Sequence, residues 1–325
     1  MAVLQKFLKY SYIAIIINCL LTGLASAEAQ LFGKANLSAA SIDDDTGSST
    51  AIESHSSRIG IKGNIESNNS LKISYRFVWQ IDMSDNAKSS DDHLKSREQY
   101  ISLKDSWGEL RIGRHDTPYK KAGKKNIEFF SSSYADWNNV ITKDHDIRAD
   151  SSLSYYKTLG AVKLSFMYAG GDDSPAAKNL GEIVSVAADM KFSDLVFALA
   201  YQDIDATGTA VKVVFGYTLG KTKLGLAAEN IEPEVGANNN STNTILSIKH
   251  SLSDNYVIKF TYGVSEELTP GLDDPTMTAL GVDYKINSDA VLFTYWADGA
   301  DGGLSADAHL VGDATVIAAG IIVKF

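Results

Sequence analysis

Along most of this chain apolar residues recur at every second position, and few patterns constrain a fold more tightly. Leu71, Ile73, Tyr75, Phe77, Trp79 and Ile81 share one face, while Lys72, Ser74, Arg76 and Gln80 share the other, with Val78 the single exception. Successive side chains of a strand point to opposite faces of its sheet, so each such run predicts a strand with one dry and one wet side. The pattern returns as Ile59/Ile61/Ile65 against Arg58/Lys62/Asn64, and as Tyr256/Ile258/Phe260/Tyr262/Val264 against Asn255/Lys259/Thr261. It closes the chain as Ile317, Ala319, Ile321, Val323 and Phe325.

Clusters of Gly, Asn, Asp and Ser mark the turns between these runs. They predict strands near 29–41, 56–66, 70–82, 97–105, 108–115, 148–157, 161–170, 182–191, 194–203, 210–218, 222–231, 242–251, 255–264, 276–285, 289–297 and 313–325, sixteen in all. Tight connections such as Glu66–Ser70, Thr158–Gly160 and Leu252–Asp254 alternate with longer polar ones such as Ile42–His55, Asp82–Ser96 and Asp298–Gly312. A secreted sandwich has no reason to gather its long loops at one end. A transmembrane barrel does, and it offers lipid to the apolar face of every strand and water to the polar face. The expected fold is therefore all-β: a sixteen-stranded antiparallel transmembrane β-barrel whose even strand count returns both ends of the chain to one side.

With 44% hydrophobic and 22% charged residues, the chain excludes a bundle of membrane-spanning helices. Its one long apolar run, Tyr12–Leu24, follows Lys6 and Lys9 and precedes Ala25-Ser26-Ala27, the order of a cleavable secretory signal. Residues 1–27 are read as that signal and 28–325 as one barrel domain. An uncleaved anchor is the competing reading, but about 13 apolar residues interrupted by Asn18 fall short of the roughly 20 that a spanning helix needs. Without the two signal lysines, 28 Lys and Arg face 40 Asp and Glu, a net charge of −12 that argues against a nucleic-acid partner. The only cysteine, Cys19, lies in the signal, so no disulfide, thiolate or Cys metal site is expected in the mature chain.

One connection is far longer than the rest, from Asp116 to Ile147, and a loop of that length is usually functional or disordered. Phe129, Phe130, Tyr134 and Trp137 can pack it against a wall, while Lys120, Lys121, Lys124 and Lys125 are offset by Glu128, Asp136, Asp144 and Asp146. Sixteen strands enclose an aqueous lumen. Folded inward, this third loop would narrow it to a charged constriction.

Several motifs then carry a family resemblance: Ser57-Arg58-Ile59-Gly60-Ile61-Lys62-Gly63, Gln99-Tyr100-Ile101-Ser102-Leu103-Lys104, and Trp107-Gly108-Glu109-Leu110-Arg111-Ile112-Gly113-Arg114-His115. Arg148-Ala149-Asp150-Ser151-Ser152-Leu153-Ser154-Tyr155 follows the long loop, and Phe325 ends the chain. In order and spacing, across the mature chain, these resemble the Gram-negative general diffusion porins, most closely the Neisserial and other beta-proteobacterial type. The resemblance implies a water-filled outer-membrane channel for ions and small hydrophilic solutes, assembled as a homotrimer, with no enzymatic activity. It also implies a cluster of wall arginines facing acids on the third loop.

By motif position that role falls to Arg58, Arg114 and Arg148, and by alternation to Arg76. Strict alternation puts Arg114 on the lipid side with Leu110 and Ile112, so its role requires a bulge at Gly113 or the end of the strand. The enteric signature Pro-Glu-Phe-Gly-Gly-Asp is absent, and Glu128 and Asp136 are the expected loop acids. The net charge leaves ion selectivity open, because outer loops and lumen contribute separately. Ala35, Ala39 and Ala319 are small outward residues that would let neighbouring barrels approach. Phe325 matches the C-terminal aromatic that barrel-assembly machinery reads in that family.

Other constellations carry less. Asp43-Asp44-Asp45, Asp172-Asp173, Asp273-Asp274 and Asp298–Gly303 give acidic loops suited to meeting lipopolysaccharide through shared divalent ions, or to holding calcium, though none has EF-hand spacing. His55, His93, His115, His145, His250 and His309 are scattered, with no His-Glu-x-x-His. Two alternatives to a general channel stay open: a substrate-specific channel, usually of eighteen strands, and a barrel hydrolase using a pair such as His145 with a third-loop serine.

Overall fold

The computed structural model describes residues 29–65, 70–84, 94–140, 145–170, 181–234, 240–267, 274–304 and 310–325. The signal segment therefore lies outside the described residues, as do Asp144, Asp172, Asp173, Asp273, His93 and His309.

All the strands join one antiparallel sheet. We number them β1 (Gln30–Asp44), β2 (Gly47–Ser54 and Arg58–Ile65), β3 (Lys72–Ile81), β4 (Leu94–Asp105), β5 (Gly108–Asp116), β6 (Arg148–Leu159), β7 (Val162–Ala169) and β8 (Ile183–Phe192). The second half comprises β9 (Leu195–Ile204), β10 (Gly208–Leu219), β11 (Thr222–Pro233), β12 (Ser241–Ser251), β13 (Tyr256–Glu267), β14 (Thr276–Lys285), β15 (Ala290–Ala300) and β16 (Ala314–Lys324). The two parts of β2 pair in turn with β1, Leu37 opposite Ser54 and Lys34 opposite Arg58, so they are one strand broken at His55–Ser57, where Ser56 takes a φ of 52°. Each strand pairs with its sequence neighbour. Closure comes from β1 against β16, Lys34 opposite Lys324 through Asp44 opposite Ala314. A sixteen-stranded closed barrel results, as the alternation requires.

The alternation also holds side by side. On β10, Val211, Val213, Phe215 and Tyr217 are exposed while Ala210, Lys212 and Val214 are buried, and β9 repeats this with Leu199 and Tyr201 outside and Ala198, Ala200 and Gln202 inside. Val78, the one break in the pattern of β3, is 1% exposed and turns inward. A belt of Leu, Ile, Val, Phe and Tyr thus faces outward, a surface suited to hydrocarbon rather than water.

Loop lengths are asymmetric, with two exceptions. Phe192 pairs with Leu195 and Leu219 with Thr222 across two-residue turns at one end. At the other end the expected long loop over Ile42–His55 is instead a hairpin, with Asp44 opposite Gly47. Polar composition there marks a strand pair that projects beyond the apolar belt, where both faces are wet. Its tip is tied to the last loop, since Val311 N donates to Asp44 Oδ2 (3.3 Å) and Asp313 N to Asp45 Oδ2 (3.4 Å). The connection from Asp205 to Thr207 is likewise short.

Candidate pore constriction

The third loop leaves β5 at Thr117, whose hydroxyl caps a short helix, α1 (Pro118–Lys121), by accepting from Lys120 N (3.2 Å). From there its backbone and side chains reach inward rows of the barrel. Tyr119 N donates to Ser185 Oγ (3.0 Å), Gly123 N to Asp189 Oδ1 (3.0 Å), and the Tyr119 hydroxyl to Glu229 Oε1. Further along, Tyr134 N donates to the Tyr295 hydroxyl (3.3 Å), the Phe130 and Tyr295 rings meet edge to face at 6.0 Å, and Asn36 Nδ2 donates to Ser132 O (3.0 Å). Tyr119, Ile127, Tyr134, Ala135, Trp137 and Val140 are almost wholly buried inside the barrel. The loop therefore lies folded across the lumen, anchored on walls as far apart as β1, β8, β11 and β15.

Opposite it, β1–β6 carry a basic arc. Arg76 Nε pairs with Glu98 (2.5 Å) and its guanidinium lies 4.5 Å from the Phe32 ring centre, a ring that Lys62 also overlies at 5.2 Å. Arg111 is held between the Tyr100 and Tyr156 rings at 4.3 and 4.8 Å and bonds Glu109 at 2.6 Å. Arg148 Nε stands 2.9 Å from Asp116. Arg58 lies in the field of Arg76 and Arg148, with Glu98 and Asp116 as the nearby acids. Expected residues Arg58, Arg76 and Arg148 are thus brought together. Arg97, which reaches Gln80 at 2.5 Å, and Lys34 join them without having been expected. Lys34 sits between the two sides, within range of Arg58 and Arg97 on the wall and of Glu128 and Asp136 on the loop.

Arg114 is not part of the arc. The irregularity expected at Gly113 exists, but the extra residue falls on the partner strand: Gly113 pairs with Ser152 and His115 with Ala149, leaving Ser151 at a φ of 47°. Alternation on β5 is preserved, so His115 turns inward and Arg114 outward, where it pairs at 2.5 Å with Asp150, itself 61% exposed. The carried-over role of Arg114 is corrected accordingly.

The loop acids form their own network. Glu128 pairs with Lys124 (3.1 Å), and Asp136 accepts from Ser132 N (2.6 Å) through Oδ2 while its buried Oδ1 has no hydrogen-bond partner among the described residues. Burial, reinforced by the charge of Glu128, pushes the Asp136 carboxyl up to about 7. Asp146 behaves oppositely: burial works to raise it, but Lys120 at 2.9 Å and Lys124 overcome that and hold it at about 2. Lys124 is held above its ordinary value, because Asp146, Glu128 and Asp136 outweigh the cost of its burial.

The family model described as Gram-negative porin matches residues 13–301. The chain belongs to the Gram-negative porins. A stretch of 102 residues is 31% identical to the major outer membrane protein P.IB of Neisseria meningitidis serogroup B, covering 31% of this chain and 28% of that protein, so the curated relatives are matched over less than a third of their length. Among solved structures, an anion-selective porin from Comamonas acidovorans superimposes with a TM-score of 0.76 at 19% identity, covering 92% of this chain and all of that one. A loop-deletion mutant of OmpT, an outer membrane protein of Vibrio cholerae, gives 0.74 at 16%, covering 92% of this chain and 99% of its own. Salmonella typhi OmpF in complex with daunomycin gives 0.73 at 15%, covering 91% and 97%. These likenesses establish the barrel fold, and with the family they place this porin in the outer membrane.

Family and fold are those of a channel rather than an enzyme. His145 of this porin meets Gln202, whose Nε2 lies 3.0 Å from the His145 carbonyl. Ser–His contacts occur on the wall, Ser154 Oγ at 2.8 Å and Ser152 Oγ at 3.3 Å from the buried His115, and Ser38 Oγ at 2.7 Å from His55. Among the described residues no three acid, His or Cys side chains converge as a metal ion requires. Among the described acids of these stretches, Asp44 accepts from Thr46 N (2.8 Å) and Asp298 from the Thr315 hydroxyl (2.6 Å).

Proposed function

We propose that this porin is a general diffusion channel whose constriction, between the basic arc and the third loop, favours small anions. The arc carries the reading: Lys34, Arg58, Lys62, Arg76, Arg97, Arg111 and Arg148 occupy the lumen side of six neighbouring strands, against the acids Glu98, Glu109 and Asp116. Like charges this close persist cheaply only where water screens them, and guanidinium stays charged at every physiological pH. The overall acidity sits elsewhere, in loop tips such as Asp43–Asp45, which we take to meet lipopolysaccharide through shared divalent ions. Reconstitution into planar bilayers under a KCl gradient tests this. Stepwise conductance with a reversal potential toward that of chloride is expected. Saturable block by one sugar, or ester hydrolysis with no steps, would refute it.

We further propose a homotrimer, exported by a signal at residues 1–27. Ala39 and Ala319 face each other across β1 and β16 on the outward side, giving a shallow surface for a neighbouring barrel. Mass measurement of the mature N-terminus and light scattering in mild detergent check the two statements. Phe325 lies at the closing seam, its carbonyl accepting from Gly33 N (2.8 Å) and its ring lying over Gly33, with the residue as a whole 64% exposed and available to assembly machinery.

A further inference from the structure

Lys212 is the least expected side chain in the barrel. It stands in the middle of β10, fully buried, and its ammonium makes no hydrogen bond among the described residues. Two loop rings enclose it instead, Tyr119 with its centre 4.4 Å away and Trp137 at 4.9 Å, both themselves buried. Glu229 and Asp146 lie within its field, and Glu229 is fixed by the Tyr119 hydroxyl and by Asn243 Nδ2 at 2.9 Å. A buried ammonium is costly unless something replaces its water, and aromatic faces do so only while they stay in place. Lys212 in an empty lumen would simply be hydrated, so its burial requires the loop.

The rest of β10 is shaped for the same purpose. Val214 packs against Gly123, and Gly216 lies opposite Gly225 of β11, the pair leaving a trough that holds Asn126 and Ile127. A Cβ at Gly216 would stand 2.8 Å from Asn126 Cβ, and one at Gly225 would strike the Asn126 carbonyl. Successive inward positions of one strand thus receive both halves of the loop: its start at Tyr119, its middle at Asn126, and its return at Trp137.

We propose that Lys212 is a latch, a positioning residue that joins the outgoing and returning arms of the third loop to the wall and so sets the width of the constriction. The proposal rests on the channel reading. Single-channel recording of wild type, Lys212→Met, Lys212→Arg and Trp137→Leu tests it. Lys212→Met is expected to raise mean conductance by roughly a quarter or more and to break the steady open level into flicker, since pore radius governs conduction. Lys212→Arg, which keeps a cation on the rings, restores the steady level, and Trp137→Leu gives the flicker from the loop side should Lys212→Met fail to refold. Steady wild-type conductance in both Lys212→Met and Trp137→Leu overturns the latch. A Lys212→Met that alters conductance while Trp137→Leu keeps the steady wild-type level also overturns it, because the lysine would then act on permeating ions directly. A wild type that shows no conductance at all sinks the channel reading beneath it.

Discussion

Replacing Asp136 with Asn should weaken the pH dependence of ion selectivity near neutrality. In the folded loop, burial and the neighbouring charge of Glu128 raise the Asp136 carboxyl from 3.8 to about 7. Below the lower value it is neutral in both the folded and unfolded chain and costs nothing; above the upper value it is charged in both, and the loop bears the full penalty of burying it. About three pKa units correspond to a penalty on the order of 4 kcal/mol, growing as pH rises through that window. Falling pH therefore favours the packed loop and removes one negative charge from beside Lys34. Reversal potentials under a fixed KCl gradient, taken from about pH 5 to 8, should move toward chloride on acidification with a midpoint near 7. Asp136→Asn should respond to pH less than wild type, and Glu128→Gln should lower the midpoint by removing the neighbouring charge. An Asp136→Asn profile that titrates like wild type would refute the reasoning, since the proton would be binding elsewhere.

Arg148→Ser or Arg58→Ser should shift the reversal potential toward cations while lowering barrel stability by no more than about 1 kcal/mol, as for other water-screened pairs, measured by thermal unfolding in detergent. Arg114→Ser should leave selectivity unchanged, because its partner Asp150 lies off the lumen; a shift as large as that of Arg148→Ser would show that the side chain reaches the pore. Deleting Phe325 should reduce the amount reaching the outer membrane more than it lowers the stability of refolded barrel, with equal losses arguing for a purely structural ring. Gly225→Val, which fills the trough under Asn126, should change conductance with little effect on strand content by circular dichroism.

Strand number, order and facing were legible in the chain because a period of two is a local property that lipid outside and water inside both enforce. Arg58, Arg76 and Arg148 could be placed in the lumen on that ground and by motif, and the same alternation, carried one strand further, would have found Glu98, whose row includes Tyr100 opposite Arg76. The length and aromatic content of residues 116–147 likewise announced a loop that packs. Only the tertiary structure decided the rest. Arg114 was lost from the pore because the bulge fell at Ser151 on the neighbouring strand, and which of two paired strands takes an extra residue depends on their mutual register. The polar stretch after Ile42 became a hairpin because its partner strand and the last loop cover it, contacts between residues more than two hundred apart in sequence. Lys212 reads locally as an ordinary lumen lysine. Its burial is made by Tyr119 and Trp137, brought to it only when the third loop folds back across a barrel that must already be closed.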